Sequence, residues 1–111
     1  MKLDTKPTMR AITAYARSLG KEFGALKVVL FGSFSKGSAS DDSDVDLLVI
    51  VPFEGRAVEQ AARMRATYRP AFPVDIIART PSQIEKRLTL GDPFIRNILD
   101  QGTVLYDADR P

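Results

Sequence analysis

Two aspartates, Asp44 and Asp46, are separated by one residue and directly precede the apolar run 47–51. If this segment is a strand, both side chains point to the same face, because residues i and i+2 do so. Two ionised carboxylates about 4 Å apart repel each other by about 4 kcal/mol at an effective dielectric constant near 20. The entrance to a buried strand therefore suits such a pair only if one of them is protonated or a cation lies between them. The alternative is a solvated aspartate-rich loop, which we favour for Asp41 and Asp42.

The dipeptide Gly32-Ser33 follows the apolar, β-branched run 27–31 and precedes a segment expected to begin a short helix. A glycine lets the backbone approach a phosphate closely, and the first turn of a helix offers unpaired N–H donors and a favourable dipole. The hydroxyl of Ser33 adds a further donor. An ordinary turn with an N-cap serine looks the same, and the dipeptide alone favours that simpler interpretation.

A third aspartate, Asp75, lies within the apolar run 74–78. An ionised acid in such a run needs a partner, unless the strand is at a sheet edge and the side chain faces water. The sequence leaves both interpretations open. If this strand is next to the one that begins near Asp44, the three carboxylates meet at one end of the sheet near Gly32-Ser33. That arrangement suits two-metal phosphoryl transfer.

Composition restricts which metal such a site could hold. The 111 residues include no histidine and no cysteine, so metal ligands must be oxygen atoms, which Mg²⁺, Mn²⁺ and Ca²⁺ prefer. The missing cysteines also exclude disulfides and a thiol nucleophile. A net charge of +2 is too small to indicate nucleic-acid binding, and no apolar run approaches the roughly 20 residues of a membrane span. We expect one domain over residues 1–111, cytoplasmic, with no membrane and no direct nucleic-acid partner.

Hydrophobic periodicity predicts the elements that would position these residues. Helical spacing and helix start signals predict helices at 8–23, 54–69, 82–89 and 93–101. Residues 32–37 are expected to form a tight turn into a short helix, and residues 38–43 a loop of small and acidic residues. Apolar runs predict strands at 27–31, 44–51 and 74–78, and a short edge strand at 104–106. The second strand is apolar on both faces and is therefore expected in the centre of the sheet. The predicted fold is α/β, with a small mixed β-sheet packed with helices.

The helix predicted at 54–69 carries a basic segment of four arginines: Arg56, Arg63, Arg65 and Arg69. They could meet an acidic partner or RNA. We favour the simpler interpretation that they form the solvated face of the helix.

Gly32-Ser33, ten residues and then Asp44-Val45-Asp46 resembles the Gly-Ser-x₁₀-Asp-x-Asp signature of the DNA polymerase β-like nucleotidyltransferase superfamily. Asp75 falls where that superfamily carries its third carboxylate, on a following strand. The likeness is greatest to minimal nucleotidyltransferases, many of which are antitoxins paired with HEPN-domain RNase toxins. The segment 93–106 also resembles theirs, so the likeness spans residues 26–106. It implies a nucleotidyltransferase-like fold.

The resemblance implies a role for each matching residue. Asp44, Asp46 and Asp75 would be the catalytic, metal-binding residues. The first two would bind both of two Mg²⁺ ions, with Mn²⁺ as an alternative. Asp75 would bind the catalytic ion and help to activate the acceptor hydroxyl.

The same resemblance implies a nucleotide-binding turn. Gly32 and Ser33 would hold the triphosphate, and Lys36 lies where relatives often have a basic residue facing phosphate. A solvated helix residue is the alternative for Lys36. Phe34 departs from the pattern, because this position is often arginine. It either weakens triphosphate binding or stacks on the base.

The resemblance further implies an activity. We expect Mg²⁺-dependent transfer of an NMP, AMP first, from ATP or another NTP to an acceptor hydroxyl. The expected acceptor is a tyrosine of a HEPN-domain RNase toxin, which makes the protein an antitoxin. A competing hypothesis is an antitoxin that neutralises its partner by complex formation, with little or no transfer. An antibiotic adenylyltransferase would need an added helical domain, and a polymerase would need a clamp for a primer–template duplex.

Overall fold

The computed structural model describes residues 7–32 and 45–110. Its four strands are β1 (Lys27–Phe31), β2 (Val45–Ile50), β3 (Val74–Arg79) and β4 (Thr103–Asp107). They form one sheet in the order β3-β2-β1-β4. β2 is antiparallel to β1 and parallel to β3, and β4 is antiparallel to β1. The sheet is therefore mixed, with β2 in its interior, as the sequence predicted.

Four helices pack on this sheet: α1 (Met9–Phe23), α2 (Ala57–Thr67), α3 (Pro81–Thr89) and α4 (Pro93–Gln101). Side-chain oxygens cap three of them. Thr8 accepts a hydrogen bond from the N–H of Ala11, and Thr80 forms a reciprocal capping box with Gln83. Asp92 accepts from the first N–H groups of α4. These caps satisfy backbone donors that have no partner within the helix.

Strand β2 separates two apolar layers because its side chains alternate between the faces of the sheet. Leu47 and Val49 belong to a core that includes buried residues of α1 and α2. Leu48 and Ile50 belong to a second core with buried residues of α3 and α4. Both layers anchor β2, so the position of its first residues is fixed by the burial of the rest.

The predicted bounds agree with the structure except at some ends. The helix predicted at 54–69 is shorter, because Gly55 has a φ of 88° before it and Tyr68 is extended after it. The edge strand predicted at 104–106 covers Thr103–Asp107. The short helix at 32–37 and the loop at 38–43 fall largely outside the described residues. Within the described ranges, no helix is long and apolar enough to cross a membrane.

Candidate functional site

Asp46 and Asp75 are register partners in the parallel pairing of β2 with β3. Paired residues of adjacent strands point to the same face, and adjacent strands lie about 4.8 Å apart. Alternation places Asp46 on the same face as Leu48, and Asp75 on the same face as Ile77. Both carboxylates therefore lie on the sheet face that α3 and α4 cover farther along. Strand adjacency was expected to bring three carboxylates together at this end of the sheet, and the structure describes two of them side by side.

On its other side, Asp46 is the register partner of Phe31, the last residue of β1. The next residue, Gly32, has a φ of 80°, which a residue with a side chain rarely adopts. A β-carbon at Gly32 would overlap the Oδ2 atom of Asp46. Gly32 and the carboxylate of Asp46 are thus in close approach, and a side chain at position 32 would be strained and would displace that carboxylate.

The structure covers part of the predicted site. It brings together Gly32, Asp46 and Asp75. Asp44, Ser33 and Lys36 lie outside the described residues, as do Phe34 and the acidic pair Asp41 and Asp42. Their roles stay predictions.

The two interpretations of Asp75 are compatible in this fold. β3 is an edge strand of the sheet, and Asp75 is exposed. It is also the direct neighbour of Asp46, which is only partly exposed. An acid that is open to solvent on one side and adjoins a second carboxylate on the other can contact both a bound ligand and an incoming molecule.

The donor chemistry of the site suits a hard divalent cation. Its two described carboxylates supply oxygen ligands, which Mg²⁺ and Mn²⁺ prefer, and the chain has no imidazole or thiolate to favour zinc. Among residues 7–32 and 45–110, no group of three or more histidine, cysteine or acidic side chains could hold a metal. The third carboxylate expected at the site is that of Asp44, which lies outside the described residues.

A cavity of about 270 Å³ lies beside Gly32 and was not predicted from the sequence. It is lined by β1, the turn that follows and α4: Phe31, Gly32, Phe94, Asn97, Ile98, Gln101 and Gly102. The rings of Phe31 and Phe94 are edge to face, with centroids 5.8 Å apart. Aromatic rings with nearby amides suit a planar ligand that forms hydrogen bonds. The helical spacing of Phe94, Asn97 and Gln101 is typical of residues on one helix face, but the sequence does not indicate that this face lies next to Gly32.

The basic segment lies in and beside α2, and its exposure is compatible both with a solvated face and with contact to an acidic partner or RNA. Arg56, Arg63 and Arg69 are exposed, and Arg65 is half-buried. Arg63 donates to the Oε1 atom of Gln60, 3.1 Å away, and Arg56 lies 4.0 Å from an exposed Glu59 carboxylate. The exposed ion pair of Arg56 and Glu59 contributes little to stability.

Comparisons with known structures identify the fold. A provisionally named nucleotidyltransferase from Sulfolobus solfataricus has a similar structure, with a TM-score of 0.62, 16% identity, and coverage of 91% of this chain and 81% of that one. A toxin–antitoxin structure with AMP-PNP matches with a TM-score of 0.57, 18% identity, and coverage of 92% and 77%. At these identities the two structures show the fold.

The sequence comparisons go further. A protein of Methanocaldococcus jannaschii, provisionally named a protein adenylyltransferase, is 27% identical over 101 residues, which are 87% of this chain and 96% of that protein. The family model described as the nucleotidyltransferase domain matches residues 12–105, from the first turn of α1 into β4. That range contains the glycine turn, both strands that carry the aspartates, and the cavity beside them. The chain therefore belongs to the nucleotidyltransferase domain family and is a nucleotidyltransferase.

Proposed function

We propose that the protein is a Mg²⁺-dependent protein adenylyltransferase that transfers AMP from ATP to a hydroxyl group of a partner protein. The observation that carries this proposal is the position of Asp46, between the glycine turn and Asp75 on one face of the sheet. A relative named as a protein adenylyltransferase and a toxin–antitoxin structure with AMP-PNP support the substrate and the partner. The proposed acceptor is a tyrosine of a HEPN-domain RNase toxin, so the protein acts as a cytoplasmic antitoxin.

In the proposed reaction, the backbone at Gly32 would lie next to the phosphates of the nucleotide. With no β-carbon between the turn and Asp46, a phosphate can approach both the backbone of the turn and the carboxylate region. Ser33 and Lys36, adjacent in sequence, would add a hydroxyl donor and a positive charge. These residues orient the triphosphate so that its α-phosphorus faces Asp46 and Asp75.

The carboxylates divide the remaining work. Asp44, Asp46 and Asp75 would hold two Mg²⁺ ions, which neutralise charge on the phosphates and favour ionisation of the acceptor hydroxyl. Asp75 is exposed at the sheet edge, where it can accept the proton of an incoming hydroxyl. The acceptor oxygen forms a bond to the α-phosphorus, the bond from that phosphorus to pyrophosphate breaks, and pyrophosphate leaves.

The test is intact-mass spectrometry of a purified candidate partner after incubation with the protein, Mg²⁺ and each NTP in turn. We expect the partner to gain the mass of one or more AMP groups with ATP, and tryptic mapping to place them on tyrosine. Asp46→Asn is the matched inactive control. A stable complex whose partner never gains mass would contradict transfer and identify an antitoxin that acts by binding alone.

A further inference from the structure

Strand β3 has one side that no other described strand occupies. The N–H of Val45 donates to the carbonyl of Pro73 (3.1 Å), and the N–H of Val51 donates to the carbonyl of Arg79 (2.9 Å). The backbone groups of odd-numbered residues in β3 therefore face β2. Because these groups alternate in direction along a strand, those of Val74, Ile76 and Ala78 face the open edge. An edge of this kind can pair with an added strand.

This open edge is the floor of a groove of about 650 Å³. One wall is α2, with Ala57, Val58 and Ala61, and the other is α3, from Gln83 to Leu90. Val58 and Leu90 are 70% and 71% exposed, which leaves apolar surface on both walls. A groove with a strand edge as its floor and a helix on each side can accommodate an extended peptide.

The charges of the groove have one sign. Arg79, Lys86 and Arg87 line it, and no acidic residue is among the described residues that do so. Arg87 lies 3.7 Å from Asp92 but keeps 56% of its side chain exposed. The Nη1 atom of Arg79 donates to the outward carbonyl of Ala78, 2.8 Å away. A carboxylate of a bound strand could form an ion pair with the guanidinium of Arg79. The carbonyl of Ala78 would then be available for backbone pairing with that strand.

We propose that the open edge of β3 binds an extended, acidic segment of the acceptor protein as an added strand between α2 and α3. The identity of the partner as an acceptor rests on the proposed function. A second copy of this chain fits less well, because pairing two β3 edges would bring like charges together. The added residue opposite Asp75 would point to the face that carries Asp75 and Asp46. Docking at this edge would thus deliver a side chain to the carboxylates.

The first test uses a fluorescent peptide, Glu-Val-Tyr-Val-Glu-Val, and its counterpart with lysine in place of glutamate. We expect the acidic peptide to bind in an anisotropy titration and the lysine peptide to bind at least about tenfold more weakly. N-methylation of alternate peptide amides should abolish binding, because it removes strand donors. Equal affinity for all three peptides, or no binding of the acidic one, would overturn the proposal.

Two protein variants localise the contact. Lys86→Glu should weaken binding of the acidic peptide about tenfold. Lys21→Glu makes the same charge change on the exposed side of α1 and should leave the affinity unchanged. If both weaken binding equally, the effect is one of net charge, and the groove is not the site.

Hydrogen exchange on the unmodified protein tests the backbone pairing directly. The acidic peptide should slow exchange of the outward amides of Ile76 and Ala78. Protection confined to other segments would contradict strand addition, as would a peptide-free dimer that protects these same amides. All of these measurements omit nucleotide. Failure of peptide binding therefore refutes the docking site while leaving the AMP-transfer assay to decide the proposed function.

Discussion

The α-carbon of Gly32 lies so close to the carboxylate of Asp46 that a β-carbon at position 32 would overlap its Oδ2 atom. The two residues come from the ends of antiparallel neighbours, β1 and β2, and Phe31 is the register partner of Asp46. A glycine following a buried strand is ordinary turn chemistry. A glycine whose missing side chain makes room for a carboxylate is better explained by a site that needs backbone and carboxylate together.

Substitution of Gly32 by alanine should therefore abolish nucleotide transfer. The added methyl group would displace Asp46, and the φ of 80° adds backbone strain of about 1–2 kcal/mol. Gly91→Ala is a matched control, because its φ is 79° and nothing lies within 4 Å of an added β-carbon. Both variants should lose similar unfolding free energy in urea titrations, and only Gly32→Ala should lose NTP binding. Parental NTP affinity in Gly32→Ala would mean that the close approach has no part in binding.

Substitution of Asp46 and substitution of Asp75 should have different effects on NTP affinity and on the transfer rate. Asp75→Asn should leave Mg²⁺–NTP affinity nearly intact and lower the transfer rate about 10²–10⁴-fold, the usual worth of a positioned base. Asp46→Asn should lose affinity and transfer together, because this residue adjoins the turn as well as its neighbouring carboxylate. Calorimetry and single-turnover rates on both variants separate the two roles. Equal loss of affinity in both would show that Asp75 holds the nucleotide.

Nucleotide affinity should depend on a divalent cation. Without Mg²⁺ or Mn²⁺, the triphosphate would face carboxylates of the same charge, so calorimetry should show weak binding that Mg²⁺ restores and EDTA removes. Asp44→Asn should lower the Mg²⁺-dependent affinity, whereas Asp42→Asn, a change of the same kind in the expected loop, should not. Tight NTP binding in EDTA would refute the metal site.

Local sequence patterns predicted the strands that carry the site because each of them contains buried apolar side chains. Residues 27–31 were predicted to the residue, since an apolar, β-branched run bounded by glycine fits few other structures. The placement of Asp75 beside Asp46 is different. It depends on strand order, which 28 intervening residues leave undetermined, and became definite only when β3 paired with β2.

The cavity beside Gly32 and the groove along β3 could not be predicted for a related reason. The cavity is enclosed by β1 and α4, which are distant in sequence, and the groove depends on how α2 and α3 pack beside β3. Helical periodicity shows that Phe94 and Asn97 lie on the same face of α4, but not which other element that face contacts. The ends of α2 were also misjudged, because the residues around Gly55 and Tyr68 adopt backbone conformations that apolar periodicity does not report.

The hydroxyl of Tyr15 is a polar group in the core that hydrophobic periodicity does not reveal. Helical spacing predicts a core position, and the ring does pack edge to face on Phe72, with centroids 5.8 Å apart. The buried oxygen has no hydrogen-bond partner among the described residues. An unsatisfied buried hydroxyl destabilises a fold, so Tyr15→Phe should leave the free energy of unfolding unchanged or raise it by about 1 kcal/mol at pH 7.

The same residue should make stability depend on pH in the alkaline range. Burial raises the pKa of Tyr15 from 10.0 to about 12, and the positive charge of Arg65 offsets part of that rise. Between these values the unfolded chain releases the proton while the folded protein keeps it. The unfolded state then binds fewer protons, and the free energy of unfolding falls as pH rises. The contribution of the Tyr15 proton to the free energy of unfolding is fully present below pH 10 and is lost toward pH 12, a change of about 2–3 kcal/mol at 1.36 kcal/mol per pKa unit.

The measurement is urea unfolding of the parent and Tyr15→Phe at several pH values from 8 to 11.5. The two proteins are compared because the other tyrosines and the lysines titrate equally in both. The advantage of Tyr15→Phe should be constant well below pH 10 and grow above it; a difference that stays flat would mean that water reaches the hydroxyl in the folded protein.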